Sequence, residues 1–185
     1  MNQQTQTQQP FDPSVVRRHY NSSQWQVKED WYVQQCNGII IPDSPLPAEV
    51  QRCATLIDRL LSIARLDYSF VRQQFDTYSM QLKIEEKRLF IDLKVKPPVQ
   101  YSANTKFTVD EMKGVVASVI NTQPWGNTRH SLYKLVEIYN ARNIFMEGVI
   151  KLLQDKKDLL ITHNAMLKIE SSVSSMQGGN VPPQI

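Results

Sequence analysis

The feature that most restricts the fold is a long stretch without glycine or proline, from Ala48 to Lys96. Pro47 precedes it, and two prolines at 97–98 follow it. Because proline suits the first turn of a helix and stops a helix beyond its end, the stretch predicts one long helix. At 1.5 Å per residue its length is on the order of 70 Å. That is too long for a compact monomer, so we expect it to bend back or to pack outside its own globule.

Apolar residues within this stretch alternate at intervals of three and four. They form two columns with a spacing of seven, namely Val50, Ile57, Ala64, Val71, Tyr78 and Ala54, Leu61, Tyr68, Phe75, Leu82, Leu89. Such columns keep one seam toward a partner helix. Glu85 and Asp92 interrupt the first column, so the seam is expected to fray or to change partner there.

A short helix and a second long helix follow a linker at 97–107. Thr108 and Glu111 have the spacing of a capping box, which predicts a helix ending near Asn121. Pro124 to Asn127 predict a turn, and the last helix is expected from about Thr128 to Ser172. Its apolar residues also repeat every seven, as Leu132, Tyr139, Met146, Leu153, Leu160, Leu167 and as Ile138, Phe145, Leu152, Leu159, Met166.

The predicted fold class is all-α, with two long amphipathic helices, a short capped helix between them and an irregular N-terminal arm. The expected organisation is a disordered leader at 1–13, a basic and aromatic arm at 14–45, a helical domain at 46–172 and a flexible tail at 173–185. The arm includes Ile39, Ile40 and Ile41, which suit one short strand before the prolines. The chain has only six glycines, which disfavours the many tight turns of an all-β fold.

The composition of the chain indicates in which compartment the protein is found. The net charge of +3 permits a polyanionic partner without requiring one. Cys36 and Cys53 are too few for a disulfide scaffold and lack metal-ligand spacing. The Gln/Thr-rich start is not a secretion signal, and no apolar run approaches the ~20 residues that span a bilayer. We therefore expect a cytoplasmic protein without a membrane partner, in the host cytoplasm if a phage encodes it.

Catalytic signatures are missing from the sequence. His19, His130 and His163 are isolated, and no zinc-protease, nucleophile-elbow or phosphate-loop motif occurs. Glu85 and Glu86 are adjacent on a helix and point in different directions. The sequence therefore predicts a protein that is not an enzyme and has no metal or cofactor.

The heptad columns of the two long helices are the first candidate binding feature. One interpretation is an internal core. The other is self-association, in which a neighbouring copy covers the remaining apolar face. We favour a homo-oligomer because two stripes this long are hard to bury in so short a chain. The predicted interface residues are Leu132, Tyr139, Met146, Leu153 and Leu160.

A basic cluster at the end of the first long helix is the second feature. It comprises Lys83, Lys87, Arg88, Lys94 and Lys96, with Tyr101 and Lys106 beyond. Helical spacing places Lys83, Lys87 and Lys94 on one ridge, which offers point charges to phosphates. Glu85, Glu86 and Asp92 lie between them, so a salt-bridged, solvated face is the alternative.

The arm is the third feature, because cations alternate with aromatic rings there. Its residues are Arg17, Arg18, Trp25, Lys28, Trp31 and Tyr32. Rings flanked by cations suit single-stranded nucleic acid, whose bases stack without sequence preference. Aromatic arms also fill a groove on their own or on a neighbouring subunit. The sequence leaves both interpretations open.

Two short strings, 64–69 (Ala-Arg-Leu-Asp-Tyr-Ser) and 110–113 (Asp-Glu-Met-Lys), together with the helix order, give a family resemblance. Over residues 46–170 the chain resembles the UvsY-type recombination mediators of tailed phages. In that family a basic-aromatic motif directly precedes the linker. Here residues 87–94 occupy that place, and residues 64–69 lie inside the long helix. The sequence therefore leaves open which of the two segments touches DNA. The arm before residue 46 has no counterpart in the family.

The resemblance implies a ring-forming, non-catalytic protein that binds single-stranded DNA. Such mediators help displace the single-strand-binding protein and load the recombinase, so those two proteins are the implied partners. The implied DNA contacts are Lys83, Lys87, Arg88 and Lys94, then Arg65 and Tyr68. Two alternatives remain: a structural or scaffold protein, such as a phage virion connector, and a helical adaptor that binds one protein through its arm.

Overall fold

The computed structural model describes residues 11–43, 46–96 and 108–177, which form four helices. They are α1 (Ser22–Gly38), α2 (Pro47–Val95), α3 (Val109–Thr122) and α4 (Leu132–Gln177). The described residues form no strand, so the all-α prediction of two long helices with a short one between them is confirmed. The linker at 97–107, most of the predicted leader and residues 178–185 of the predicted tail lie outside the described residues.

The prediction of an irregular arm is wrong over Ser22–Gly38, which is helix α1. Asn21 caps the helix, because its side chain accepts a hydrogen bond from the Gln24 backbone N–H and the Gln24 side chain accepts one from the Asn21 N–H. The buried face of α1 consists of Trp25, Lys28, Tyr32 and Cys36. This spacing is helical. The helix was missed because one member of the face is a lysine, so no apolar column shows in the sequence.

The predicted short strand at 39–41 does not form. Ile39 is instead the C-cap of α1 in extended backbone, and its N–H donates to the Cys36 carbonyl oxygen. Its side chain is buried, whereas that of Ile40 is exposed. The segment thus ends a helix and has no pairing partner among the described residues.

The capping box and the turn are confirmed, whereas both ends of the last helix differ from the prediction. Thr108 caps α3 reciprocally with Glu111. The turn continues past Asn127, because the Trp125 N–H donates to the His130 carbonyl oxygen at 2.9 Å. Gly126 has a φ of 56°, a left-handed value that favours glycine. Helix α4 therefore begins at Leu132, and residues 173–177 of the predicted tail belong to it.

The chain divides into two compact units, and both long helices contribute to each. Unit 1 comprises Met1–Asp67 and Met146–Ile185, and unit 2 comprises Tyr68–Phe145. Within unit 1, α1, the start of α2 and the end of α4 share a core. Its buried side chains are Trp25, Tyr32, Cys36, Val50, Ile57, Leu60, Leu61, Ala64, Met146, Val149, Leu153 and Leu160.

A fully buried ion pair fastens α1 to α2 in unit 1. The Lys28 Nζ lies 2.8 Å from Asp67 Oδ2, and both side chains are 0% exposed. Two hydroxyls donate to the same carboxylate, from Tyr20 at 2.5 Å and from Tyr32 at 2.6 Å. The Lys28 ammonium also donates to the Pro13 carbonyl oxygen. Burial lowers the pKa of Lys28 and raises the pKa of both tyrosines, with Asp67 reinforcing the effect on the tyrosines.

Unit 2 has its own core, in which α3 packs between the C-terminal part of α2 and the start of α4. The buried residues are Val116, Ile120 and Leu132. Partly buried apolar side chains surround them, namely Tyr78, Leu82, Leu89, Phe90, Leu93, Trp125 and Tyr133. This packing fixes the side of α2 that remains available to solvent.

Candidate nucleic-acid interface

Three lysines form an exposed ridge on α2 in unit 2. Lys83, Lys87 and Lys94 are all exposed, and at about 100° per residue they lie within about 40° of one another around the helix. None of the three forms an ion pair with a described residue. Their charges are therefore available to an external anion. We call these residues the lysine ridge.

Arg88 does not belong to this ridge. It lies about 140° around the helix from Lys83. Its guanidinium contacts Glu85 at 2.8 Å and Asp92 at 3.2 Å. The hydrogen bond that Arg88 donates to the Glu85 carboxylate raises the pKa of Arg88 above its usual value. The solvated, salt-bridged alternative therefore describes Arg88, whereas it does not describe the three lysines.

An apolar groove of about 490 Å³ lies beside the ridge, within unit 2. Its walls come from three helices and consist of Glu86, Lys87, Phe90, Lys113, Val116, Ala117 and Tyr133. Lys87 on α2 and Lys113 on α3 bring positive charge to it from two helices. The Lys94 ammonium lies 4.8 Å from the centre of the Phe90 ring, a cation–π contact that ties the ridge to the groove.

A single carboxylate lies in the groove. The Tyr133 hydroxyl donates to Glu86 Oε1 at 2.6 Å. Burial, with the Glu86 carboxylate beside it, raises the pKa of Tyr133 to about 12. Lys113 contacts Asp110 at 3.3 Å, but both side chains are highly exposed, so this pair holds the lysine weakly. Negative charge thus sits inside the groove and positive charge at its margin.

The two remaining α2 residues implied by the resemblance lie away from this site. Arg65 belongs to unit 1 and lines a polar cleft together with Asp58, Asp155 and Asp158. Lys151 and Lys157 line the same cleft, and Lys157 contacts Asp58 at 2.8 Å, so the three carboxylates and the three cations of the cleft balance one another. Tyr68 belongs to unit 2, is half-buried and lines a shallow depression on α2. The structure therefore brings neither to the lysine ridge.

Part of the arm packs on its own chain, as its second interpretation expects. Trp25 is 5% exposed, and its Nε1–H donates to Glu29 at 2.6 Å. The prediction that Trp25 stacks on bases is wrong in this fold, because no face of the ring reaches solvent. Arg17 lies over the Phe11 ring at 4.9 Å, and Arg18 is exposed.

The predicted oligomer interface is also wrong for most of its residues. Leu132, Met146, Leu153 and Leu160 are buried inside the chain, and Tyr139 is half-buried against Tyr78 at 5.3 Å. A side chain already covered by its own chain cannot contact a second copy. The second apolar column of α4 faces outward over its last three residues, because Leu152, Leu159 and Met166 are exposed.

Four groups of the groove were not identified from the sequence: Glu86, Phe90, Lys113 and Tyr133. Phe90 lies three residues after Lys87 and four before Lys94, so helical spacing alone places it beside the ridge. Lys113 likewise precedes Val116 and Ala117 by one turn. Their assembly around one groove depends on how three helices pack, which no local pattern encodes.

Neither a metal centre nor a membrane span is found in the part of the chain that the structure describes. No group of three or more His, Cys, Asp or Glu residues there is placed to hold a metal ion. No helix there has the length and apolar content that crossing a membrane requires. Comparisons with protein-family models, with curated proteins and with solved structures found nothing that matches this chain.

Proposed function

We propose that this chain is a non-enzymatic protein that binds single-stranded DNA through the lysine ridge and the adjacent groove of unit 2. The observation that carries the proposal is the set of three exposed lysines that form no ion pair with any described residue, on one helix face beside aromatic surface. Lysines supply affinity for phosphates through counterion release. Aromatic surface accepts unpaired bases without sequence preference.

The dimensions of the ridge suit a strand rather than one phosphate group. Lys83 and Lys94 are separated by about 16 Å along the helix at 1.5 Å per residue. Several successive phosphates are therefore needed to pair with the three lysines. The Glu86 carboxylate repels phosphates from the groove itself, which favours a strand with its phosphates on the ridge and its bases toward Phe90 and Tyr133.

We further propose that the protein acts as a recombination mediator, which holds the strand, helps displace a single-strand-binding protein and loads a recombinase. This rests on the resemblance to UvsY-type mediators. One ridge of three lysines binds weakly, so the proposal includes a homo-oligomer in which several ridges engage one strand. The exposed residues Leu152, Leu159 and Met166, here called the outward column of α4, offer an apolar surface for such assembly.

The test is anisotropy of a labelled oligothymidine measured over a range of salt concentrations. Each phosphate contact contributes about 0.7 to the slope of log K against log salt. Lys87→Gln and Lys94→Gln are each expected to lower the slope by about that amount. Arg88→Gln is the matched control on the same helix and is expected to leave the slope unchanged. Equal effects of all three substitutions, or no salt-dependent binding, would remove the proposal.

A structural or scaffold protein is the second candidate function. The observation that favours it is the outward column Leu152, Leu159 and Met166, an exposed apolar stripe with heptad spacing. A protein of this kind acts only through protein–protein contacts. Self-association without any affinity for oligothymidine at low salt would support this function over DNA binding.

A further inference from the structure

A second groove lies in unit 1, between α1 and α2, and the proposed DNA site does not use it. It has a volume of about 440 Å³. Its apolar wall consists of Trp31, Ile39, Leu56, Leu60 and Ile63, and Arg59 lies at its margin. The size is that of a ligand site, and the groove is partly open to solvent.

The groove continues toward the start of α2. A further cavity of about 200 Å³ shares Ile39 and Leu56 with it and adds Ile40 and Arg52. From Arg52 to Ile63 the combined surface extends about 16 Å along α2, or three helical turns. An extended channel of this length fits a helix of a partner better than a small molecule.

The α2 side of the groove carries its own heptad-like stripe. Arg52, Leu56, Arg59 and Ile63 follow one another at intervals of four, three and four. This spacing is the one with which a helix meets another helix along a seam. Leu56 is 40% exposed although it is a large apolar residue, and Ile63 is half-buried. The stripe is separate from the columns that form the core of unit 1.

The charge of the groove is positive. Neither Arg52 nor Arg59 forms an ion pair with a described residue. Glu49 lines the smaller cavity, but its carboxylate is engaged at the N-terminus of α2, where it accepts the Leu46 N–H at 2.8 Å. Across the groove, α1 contributes the neutral side chains Gln34 and Gln35. Two guanidinium groups thus flank an apolar channel, and Glu49 is the one carboxylate among the described residues that line it.

We propose that this groove binds an amphipathic helix of a partner protein whose apolar stripe is flanked by Asp or Glu. The apolar residues of such a helix cover Trp31, Leu56 and Ile63. Its carboxylates meet Arg52 and Arg59, which favour bidentate, charge-assisted hydrogen bonds. This is helix-in-groove recognition, read from anchors three and four residues apart.

The test uses three fluorescent designed peptides of equal length. One is an amphipathic helix with Leu on its seam and Glu beside it, the second has Lys in place of Glu, and the third is a scramble of the first. The full-length protein is expected to bind the Glu peptide saturably and at least tenfold more tightly than either other peptide. Arg52→Glu/Arg59→Glu is expected to reverse this preference, so that the Lys peptide binds more tightly.

Two further variants separate the groove from general charge and folding effects. Arg129→Glu changes an exposed arginine of unit 2 and is expected to leave peptide affinity unchanged. Leu56→Glu is expected to abolish binding of the Glu peptide while circular dichroism shows the helices intact, because Leu56 is exposed.

Three results would overturn the proposal. The first is equal binding of the Glu peptide and its scramble, or none of either. The second is self-association that Leu56→Glu removes, which would make a second copy the occupant. The third is displacement of the peptide by oligothymidine that depends on Arg52 and Arg59, which would assign the groove to nucleic acid. None of these results depends on the lysine ridge.

Discussion

At the scale of the residue, Asp67 is the acceptor on which the attachment of α1 depends. It receives Lys28, Tyr20 and Tyr32 without any exposure to water. Asp67→Ala would leave a buried ammonium and two buried hydroxyls without their acceptor. Removing one partner of a buried ion pair costs about 3–5 kcal/mol, so we expect a loss of that size in the free energy of unfolding. Urea unfolding followed by circular dichroism measures it.

The matched control replaces both charges with apolar groups of similar volume. Lys28→Met/Asp67→Leu is expected to be more stable than Asp67→Ala, because no uncompensated charge remains. A double variant as unstable as the single one, or a single variant within about 1 kcal/mol of the parent protein, would contradict this account of the cluster.

Tyr133 gives a prediction about pH. Its pKa is raised from 10.0 to about 12, first by burial and then by Glu86. The folded chain therefore holds this proton where an unfolded chain releases it. The contribution to stability is complete below pH 10 and is lost as pH rises toward 12. Tyr20 and Tyr32 also have raised pKa values, so ultraviolet titration is expected to show several late-ionising tyrosines. Tyr133→Phe is expected to remove the one that ionises near pH 12.

Glu86→Gln tests how much the negative charge of Glu86 raises the pKa of Tyr133. Without the neighbouring negative charge, the late ionisation of Tyr133 is expected to move to lower pH. It stays above the ordinary value because burial remains. An unchanged titration in Glu86→Gln would mean that the carboxylate does not influence the tyrosine.

At the scale of the element, replacing two glycines with alanine is expected to change stability in opposite directions. Gly148 lies inside α4, and an added Cβ meets nothing within 4 Å. Gly148→Ala is therefore expected to stabilise the protein by about 0.5–1 kcal/mol through helix propensity. Gly126 also has open space, but its φ of +56° disfavours any side chain. Gly126→Ala is expected to destabilise by about 1 kcal/mol. Calorimetry that shows the same sign for both would contradict these expectations.

Local patterns were sufficient for the long helices and the cap. The stretch between Pro47 and Pro97 determines α2 to within a residue, and the Thr108–Glu111 spacing determines the start of α3. The sequence did not predict helix α1, because its buried face includes Lys28. The charge of Lys28 is neutralised by Asp67, which lies far along the chain. A sequence pattern that scores a lysine as exposed cannot find such a helix.

The candidate site was also predictable from the sequence only in part. Spacing along α2 correctly grouped Lys83, Lys87 and Lys94, since one helix fixes their mutual positions. Lys113 and Tyr133 could not be added, because they reach the groove only through the packing of α3 and α4. For Arg88 the sequence left a DNA contact and a salt-bridged face open, and the structure pairs it with Glu85 and Asp92.

At the scale of the whole molecule, substitutions of two adjacent leucines in α4 distinguish an effect on assembly from an effect on folding. Leu160 is 3% exposed, whereas Leu159 is 45% exposed. If copies associate through the outward column as proposed, Leu159→Glu is expected to lower the molar mass in sedimentation equilibrium without loss of helicity, because Leu159 is an exposed residue of that column. Leu160→Glu is expected to unfold the chain, since it buries a charge. A parent protein that stays monomeric at high concentration would contradict the homo-oligomer.

The anchoring of α1 has a consequence for recognition. Trp31, which forms one wall of the groove in unit 1, sits on the helix that Lys28 ties to Asp67. Any event that detaches this helix removes Trp31 from the groove, although neither Lys28 nor Asp67 lines the groove itself. Asp67→Ala should therefore cost peptide affinity through the fraction of molecules whose docking surface is unassembled, and raising the stability of the fold by other means should restore it.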